Sequence, residues 1–148
     1  KIDNVLVYGT SIIKPLDLKK IKEKIKGRII NIHWGNSNHY RGDGIYVCLA
    51  KNDKKNLGLT LHELTDKIDH GNLISIETIQ TDKFDNFISI FCKMTLSAII
   101  ATKKTLHKNY SYNSNIKVIN KNSIYYGKKY LRDNPSVYLK AFINLIIN

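Results

Sequence analysis

Short apolar runs alternate with amphipathic helical patterns along this chain, and this alternation limits the fold more than any other feature does. Val5–Tyr8 is an apolar run of strand length. Lys14–Lys26 then has the pattern of an amphipathic helix with a proline in its first turn, and Gly27 is placed to cap it. A second apolar run, Arg28–Ile32, follows at once. Strand, helix and strand in succession predict an α/β fold with a parallel-type sheet.

The later patterns extend this architecture. Helices are predicted over Gly44–Lys51, Phe84–His107 and Ser136–Ile147, and strands over Gly58–Glu63 and Leu73–Ile79. At 148 residues the chain is one domain by length. Within it we predict a catalytic core over residues 1–108 and a C-terminal extension, residues 109–148, that packs on the core.

Charge and composition limit the partners. Lys and Arg outnumber Asp and Glu by 24 to 12, a formal net charge of +12, which favours anionic partners such as RNA, nucleotide sugars or polyglutamylated folate. The lysines are scattered among Asn and Ile, so a compositional bias is the favoured explanation of the charge, with a functional basic face as the alternative. No apolar run reaches the ~20 residues of a membrane-spanning helix, and Lys1–Asn4 lacks the features of a secretory signal. Cys48 and Cys92 lack the spacing of a metal site. We therefore expect reduced thiols, a cytoplasmic location and no metal.

Three polar residues stand where catalytic side chains would be expected. Asn31 and His33 are two residues apart at the end of the second predicted strand, so both side chains project from one face. Asp69 follows in an Ile-Asp-His-Gly turn. An amide, an imidazole and a carboxylate are the groups needed to transfer an acyl group to an amine. Each residue alone is more often a turn former or a structural residue, and only the ordered set favours catalysis.

That ordered set also resembles a known family. The segments Asn31-Ile32-His33, Tyr40-Arg41-Gly42, Gly58-Leu59-Thr60-Leu61-His62 and Ile68-Asp69-His70-Gly71 are similar to those of the formyltransferases that use 10-formyltetrahydrofolate. This family includes methionyl-tRNA, glycinamide ribonucleotide and nucleotide-sugar N-formyltransferases. The resemblance covers residues 3–108 well and the tail only loosely. It departs from the family at Gly35–His39, where a Leu-Pro is usual.

The resemblance implies a Rossmann-like formyltransferase fold. The strand that resembles Val5–Tyr8 lies well inside the family's domain, so we expect this chain to be the C-terminal part of that fold, without its first strand–helix units. Asn31 would then stabilise the oxyanion, His33 would accept the proton of the amine, and Asp69 would orient His33 or order a water.

Further residues are implicated by the same resemblance. Ser11, Ile12 and Ile13 match one wall of the family's folate pocket, and Asp66 and Lys67 belong to the other wall. Arg41 would bind an acceptor phosphate or brace its own loop, and its presence favours the sugar and tRNA branches of the family. His62 is interpreted as a core or loop-bracing residue.

The predicted function is transfer of a formyl group from 10-formyltetrahydrofolate to a primary amine, with a nucleotide-linked amino sugar as the favoured acceptor. Methionyl-tRNA is an alternative acceptor, although only residues 109–148 follow the core, fewer than a tRNA-binding barrel needs. A non-catalytic folate- or RNA-binding remnant, hydrolysis of the formyl donor by water, and a homo-oligomeric state are left open.

Overall fold

The computed structural model describes residues 2–69, 71–107, 117–119 and 122–147. Its elements are β1 Val5–Tyr8, α1 Pro15–Lys24, β2 Ile29–His33, β3 Tyr40–Gly42, α2 Gly44–Ala50, a 3₁₀ turn Lys54–Asn56, β4 Gly58–Glu63, β5 Asn72–Thr78, α3 Phe87–Leu106, β6 Lys117–Val118, β7 Ile124–Tyr126, α4 Lys128–Asp133 and α5 Ser136–Ile146.

The main sheet has five strands in the order β1-β2-β4-β5-β6, and β3 pairs with β7 in a separate sheet. β1 and β2 run parallel, whereas the β2–β4, β4–β5 and β5–β6 pairs are antiparallel. The predicted α/β class is confirmed, but the sheet is mixed rather than of parallel type. The physical reason lies partly in the loop between β4 and β5, which is too short for the crossover that parallel neighbours require.

Two helix boundaries differ from the prediction for identifiable reasons. α1 ends at Lys24, with Ile25 in an extended conformation. Gly27 does not cap it; a Cβ there would collide with the Asn4 side chain and the backbone of residue 3, so glycine serves a close approach of two segments. α3 begins at Phe87 because Asn86 and Ser89 form a capping box, in which Asn86 Oδ1 accepts from the Ser89 N–H at 3.1 Å.

The largest hydrophobic core lies between the sheet and helices α2, α3 and α5. Leu49, Leu59, Ile90 and Met94 are fully buried in it, and α5 adds Val137, Ala141 and Leu145. A smaller cluster of Val7, Leu18 and Ile29 lies under α1. The extension thus shares its core with the rest of the chain, while residues 108–116, where the two regions were predicted to meet, lie outside the described residues. That division stays a prediction.

Candidate active site

The three predicted catalytic side chains meet at the end of β2. His33 Nδ1 lies 3.3 Å from Asp69 Oδ1, and the Asn31 amide lies beside them, 3.0 Å from His62 Nε2. His33 is 7% exposed, and Asp69 shows 12% of its side chain. The alternation of an extended strand places Asn31 and His33 on one face, as the sequence predicted.

Asp69 is held by the backbone around it. Its φ of +46° is in the left-handed region, which Asp tolerates better than most residues. Asp69 Oδ2 accepts a hydrogen bond from the Gly42 N–H at 2.8 Å, so Oδ1 is left to face the two histidines. Gly42 itself has a φ of +74°, and a Cβ at this position would lie 2.5 Å from Tyr126 O in β7. The loop that carries the carboxylate is therefore anchored through β3 to β7.

His62 lies at the site, whereas the sequence led us to interpret it as a core or loop-bracing residue. It lies opposite Asn31 in the β2–β4 register and has no exposed surface. Its Nδ1 lies 2.9 Å from Glu63 O, so Nδ1 carries the proton and Nε2 accepts from the Asn31 amide. Nε2 also lies 3.8 Å from Asp69 Oδ1. The signal in the sequence was the alternation of Thr60 and His62 on one face of β4, but the strand register could not be read from it.

The loop that departs from the family pattern is fixed by β4. The Thr60 hydroxyl donates to Gly35 O at 2.7 Å and accepts from the Ser37 N–H at 2.9 Å. Gly35 also passes close to the His33 ring, since a Cβ there would lie 2.6 Å from His33 Nε2. Thr60 thus holds in place the backbone that encloses His33.

The electrostatics favour an ionised carboxylate beside a neutral imidazole. Burial lowers the pKa of His33, and Asp69 and Tyr40 O oppose this shift only in part. Burial raises the pKa of Asp69, but the neighbouring His33 imidazole and the hydrogen bond from the Gly42 N–H oppose burial, and the pKa lies below the usual value. His33 Nε2 lies 3.2 Å from Tyr40 O, so both ring nitrogens face acceptors. A proton that enters the site can therefore be held on His33, with both N–H groups paired.

Two concavities meet at these residues. A cleft of about 580 Å³ is lined by Asn31, His33 and Asp69. A smaller pocket of about 90 Å³ shares Asn31 and Asp69 with it and is lined by all five residues predicted to bind folate: Ser11, Ile12, Ile13, Asp66 and Lys67. The site thus has two compartments with the amide and the carboxylate at their junction.

Arg41 is placed differently from the other predicted residues. Its guanidinium donates to Ser123 O at 2.9 Å, next to the β3–β7 pair, and Arg41 does not line the cleft. Of the two roles considered for it, this contact fits the bracing role. Sequence reasoning could not find this partner because Ser123 lies far along the chain.

Three further features of the described residues concern metal binding, membrane-spanning helices and cysteine thiols. Within the described residues, no group of three or more His, Cys, Asp or Glu side chains could hold a metal ion. No helix in that part of the chain is both long enough and apolar enough to cross a membrane. Cys48 is buried and Cys92 is exposed, and both are free thiols.

Comparison with known proteins gives three results. No family model matches the chain. In sequence, the chain is similar to the bifunctional polymyxin resistance protein ArnA of Wigglesworthia glossinidia brevipalpis, with 31% identity over 104 residues. The aligned region covers 70% of this chain and 16% of that protein. In structure, the chain is similar to a 4-N formyltransferase from Francisella tularensis, with a TM-score of 0.68 at 19% identity over 94% of this chain and 60% of that one.

A second solved structure shows the same fold. The formyltransferase PseJ from Anoxybacillus kamchatkensis, in complex with UDP-4,6-dideoxy-4-formamido-L-AltNAc and tetrahydrofolate, matches 97% of this chain and 78% of its own with a TM-score of 0.72 at 17% identity. The chain spans about a sixth of the ArnA relative and about three fifths of the Francisella structure. The expected Rossmann-like fold is confirmed: this chain has the fold of the sugar N-formyltransferases.

Proposed function

We propose that this chain is a formyltransferase that moves the formyl group of 10-formyltetrahydrofolate to a primary amine, with the amino group of a nucleotide-linked amino sugar as the acceptor. The observation that carries the proposal is that Asn31, His33 and Asp69 all line one cleft, with Asn31 and Asp69 shared by the adjoining smaller pocket. One compartment would hold the folate and the other the acceptor.

The chemistry follows from the groups at the junction. The amine attacks the formyl carbon, and the tetrahedral intermediate carries negative charge on the former carbonyl oxygen. The Asn31 amide has two N–H donors and uses one on His62, so the second can donate to this oxygen. Loss of one such donor costs about 3–4 kcal/mol of barrier.

Proton transfer completes the reaction. The attacking amine loses a proton, and N10 of the folate must gain one as the C–N bond breaks. His33 is neutral before the reaction and accepts the first proton. The imidazolium that forms is stabilised because Asp69 and Tyr40 O accept hydrogen bonds from its two N–H groups. The proton then passes to the departing nitrogen, which restores the neutral ring.

The acceptor class is supported by the structural neighbours rather than by a contact in this chain. PseJ was crystallised with a formamido sugar linked to UDP and with tetrahydrofolate, which are the two products of such a transfer. No metal is required by this mechanism, since the oxyanion and the proton each have a side-chain partner.

The test is an assay of the purified chain with 10-formyltetrahydrofolate and a set of amines. Tetrahydrofolate formation and the mass of the formylated product are measured with UDP- and dTDP-linked amino sugars, with initiator methionyl-tRNA and with no amine. We expect formylated sugar from the wild type and a loss of at least about 100-fold in kcat for His33→Asn. Formylation of methionyl-tRNA instead of a sugar would identify the tRNA as the acceptor. Formate release without an amine would identify the chain as a hydrolase. Normal turnover by His33→Asn would overturn the mechanism.

A further inference from the structure

The cleft has a second wall that the proposed chemistry does not use. Tyr8, Trp34, Tyr46 and Phe91 line it, and we call this set the aromatic wall. Trp34 is stacked on Phe91 with ring centroids 4.9 Å apart and planes 29° apart, and Tyr8 packs on Trp34 at 5.5 Å. Trp34 follows His33 directly in the chain, and both residues line the cleft.

A cation stands in the same cleft. Lys128, the first residue of α4, lines it and has an exposed side chain. No hydrogen bond or ion pair of Lys128 is found within the described part of the chain. The acidic residues of the cleft are Asp43 and Asp69, and Asp69 is already bound to the Gly42 N–H and to His33. Lys128 is thus available to an anion that enters the cleft.

The smaller pocket contains neither feature. Neither Lys128 nor any residue of the aromatic wall lines it. The two concavities share only Thr10, Asn31, Ile68 and Asp69 among the described residues. The reacting groups lie at this shared boundary, so one substrate must approach from each side. If the smaller pocket takes the folate, the aromatic wall and Lys128 face the acceptor.

We propose that the aromatic wall and Lys128 form the acceptor subsite, and that this subsite takes an amine borne on a sugar ring that carries a phosphate or diphosphate. The sugar ring packs against Trp34 through its C–H groups, because a large indole face offers apolar contact at little conformational cost. The phosphate lies against Lys128 Nζ, which acts as a point charge. This inference rests on the proposed function and adds the residues that select the acceptor.

The chain offers a direct probe, because Trp34 is its single tryptophan. Intrinsic fluorescence is titrated with UDP-glucosamine, whose amine is free, with UDP, and with glucosamine, which has no phosphate. We expect a saturable change with UDP-glucosamine and a much weaker response to glucosamine. Lys128→Gln should raise the Kd of UDP-glucosamine about fivefold, the effect of losing one exposed charge pair. Lys129→Gln is the matched control, since Lys129 does not line the cleft, and it should leave the Kd unchanged.

A kinetic measurement separates this inference from the proposed function. In Trp34→Leu, the KM for the acceptor should rise at least about tenfold while the KM for 10-formyltetrahydrofolate stays unchanged, and Trp34→Phe should recover much of the loss. Circular dichroism and urea unfolding check that each variant folds. Formyl transfer that proceeds with unchanged acceptor KM in Lys128→Gln and Trp34→Leu would overturn the subsite and leave the function standing. Lys128-dependent binding of UDP-glucosamine without transfer to any amine would overturn the proposed function, and the subsite would remain as a binding site for a phosphorylated amino sugar. No fluorescence response to UDP-glucosamine would also overturn the subsite.

Discussion

At the scale of single residues, the proposed oxyanion donor Asn31 depends on a neighbour with no chemical role in the proposed mechanism. Asn31 donates one amide hydrogen to His62 Nε2 at 3.0 Å, and Glu63 O fixes the tautomer of His62 at 2.9 Å. This pair of contacts sets the direction in which the second Asn31 N–H points. His62 is therefore a positioning residue for the proposed oxyanion donor.

The first prediction concerns His62. His62→Leu removes the acceptor for Asn31, so the amide can rotate, and kcat should fall about 100-fold, the cost of a misplaced catalytic group. His62→Gln, whose side-chain oxygen can accept from the amide, should recover part of this loss. The KM for 10-formyltetrahydrofolate should change little in either variant.

The matched control for His62 is His39→Gln. His39 is exposed, its ring lies beside the Tyr40 ring with centroids 6.2 Å apart, and it does not line the cleft, so this variant should keep normal activity. Because His62 is fully buried, urea unfolding must show that the variants fold. A folded His62→Leu variant with normal kcat would exclude the positioning role.

A second prediction follows from the protonation of the site. Burial lowers the pKa of His33 from its ordinary value of 6.5, and neutral His33 is the active form in the proposed mechanism. The acid limb of kcat/KM should therefore lie below pH 6.5. Asp69 raises the pKa of His33 within that balance, so the residual activity of Asp69→Asn should have its acid limb at a still lower pH. An acid limb that moves upward in Asp69→Asn would contradict this account.

The protonation of His33 should also make the stability of the folded chain depend on pH. Since the folded-state pKa of His33 is lowered, the unfolded chain binds more protons between the two pKa values. The contribution of neutral His33 to stability is thus fully present above pH 6.5 and is lost as the pH falls toward its folded-state pKa. Urea unfolding of the wild type and of His33→Gln between pH 7.5 and about 5 should show a smaller loss of stability in the variant.

At the scale of elements, helix α2 is held at both ends by other segments. Its apolar residues Ile45, Val47 and Leu49 pack in the main core. At its N-terminal end, the backbone N–H of Asp43 donates to Tyr126 O of β7 at 2.7 Å. At the other end, Asn144 of α5 donates to Leu49 O at 2.9 Å and to Ala50 O at 3.1 Å. These carbonyls belong to the last turn of α2, where carbonyls lack partners within their own helix, although Leu49 O also accepts from the Asn52 N–H at 2.9 Å just beyond the helix.

The third prediction tests that contact. Asn144→Leu leaves two carbonyls of α2 without their side-chain donor, and the free energy of unfolding should fall by about 1–2 kcal/mol. Lys140→Ala, on an exposed position of the same helix, should change it by less than about 0.5 kcal/mol. Both values come from urea titrations followed by far-ultraviolet circular dichroism. Equal effects of the two substitutions would show that the Asn144 bonds do not hold α2.

At the scale of the whole molecule, local patterns predicted local structure and failed where distant segments pair. The positions of β1, β2, β4 and α2 followed from apolar runs, and the shared face of Asn31 and His33 followed from strand alternation. The contact of His62 with Asn31 depends on the β2–β4 register, which no local pattern encodes. The β3–β7 pair was missed because its strands are three residues each and come from opposite ends of the chain.

The same long-range pairing decides whether the extension is separable. Val137, Ala141 and Leu145 of α5 lie in the core with α2, and β7 holds Gly42, whose N–H binds Asp69. A chain cut after residue 107 would expose this apolar surface and release the loop that carries the Asp69 carboxylate. Burial of a side chain such as Val137 or Leu145 is worth about 1.5–3 kcal/mol, a large part of the roughly 5–15 kcal/mol that stabilises a domain.

The fourth prediction is therefore that the fragment 1–107 does not fold alone. Its urea titration should lack a cooperative transition, and its near-ultraviolet spectrum, to which Trp34 contributes, should be flat where that of the full chain is structured. Adding the peptide 117–148 in excess should restore part of both signals, because the missing contacts are then supplied by a second chain. A cooperative transition in the fragment alone would instead make residues 109–148 a dispensable addition, and the tie from β7 through Gly42 to Asp69 would lose its importance.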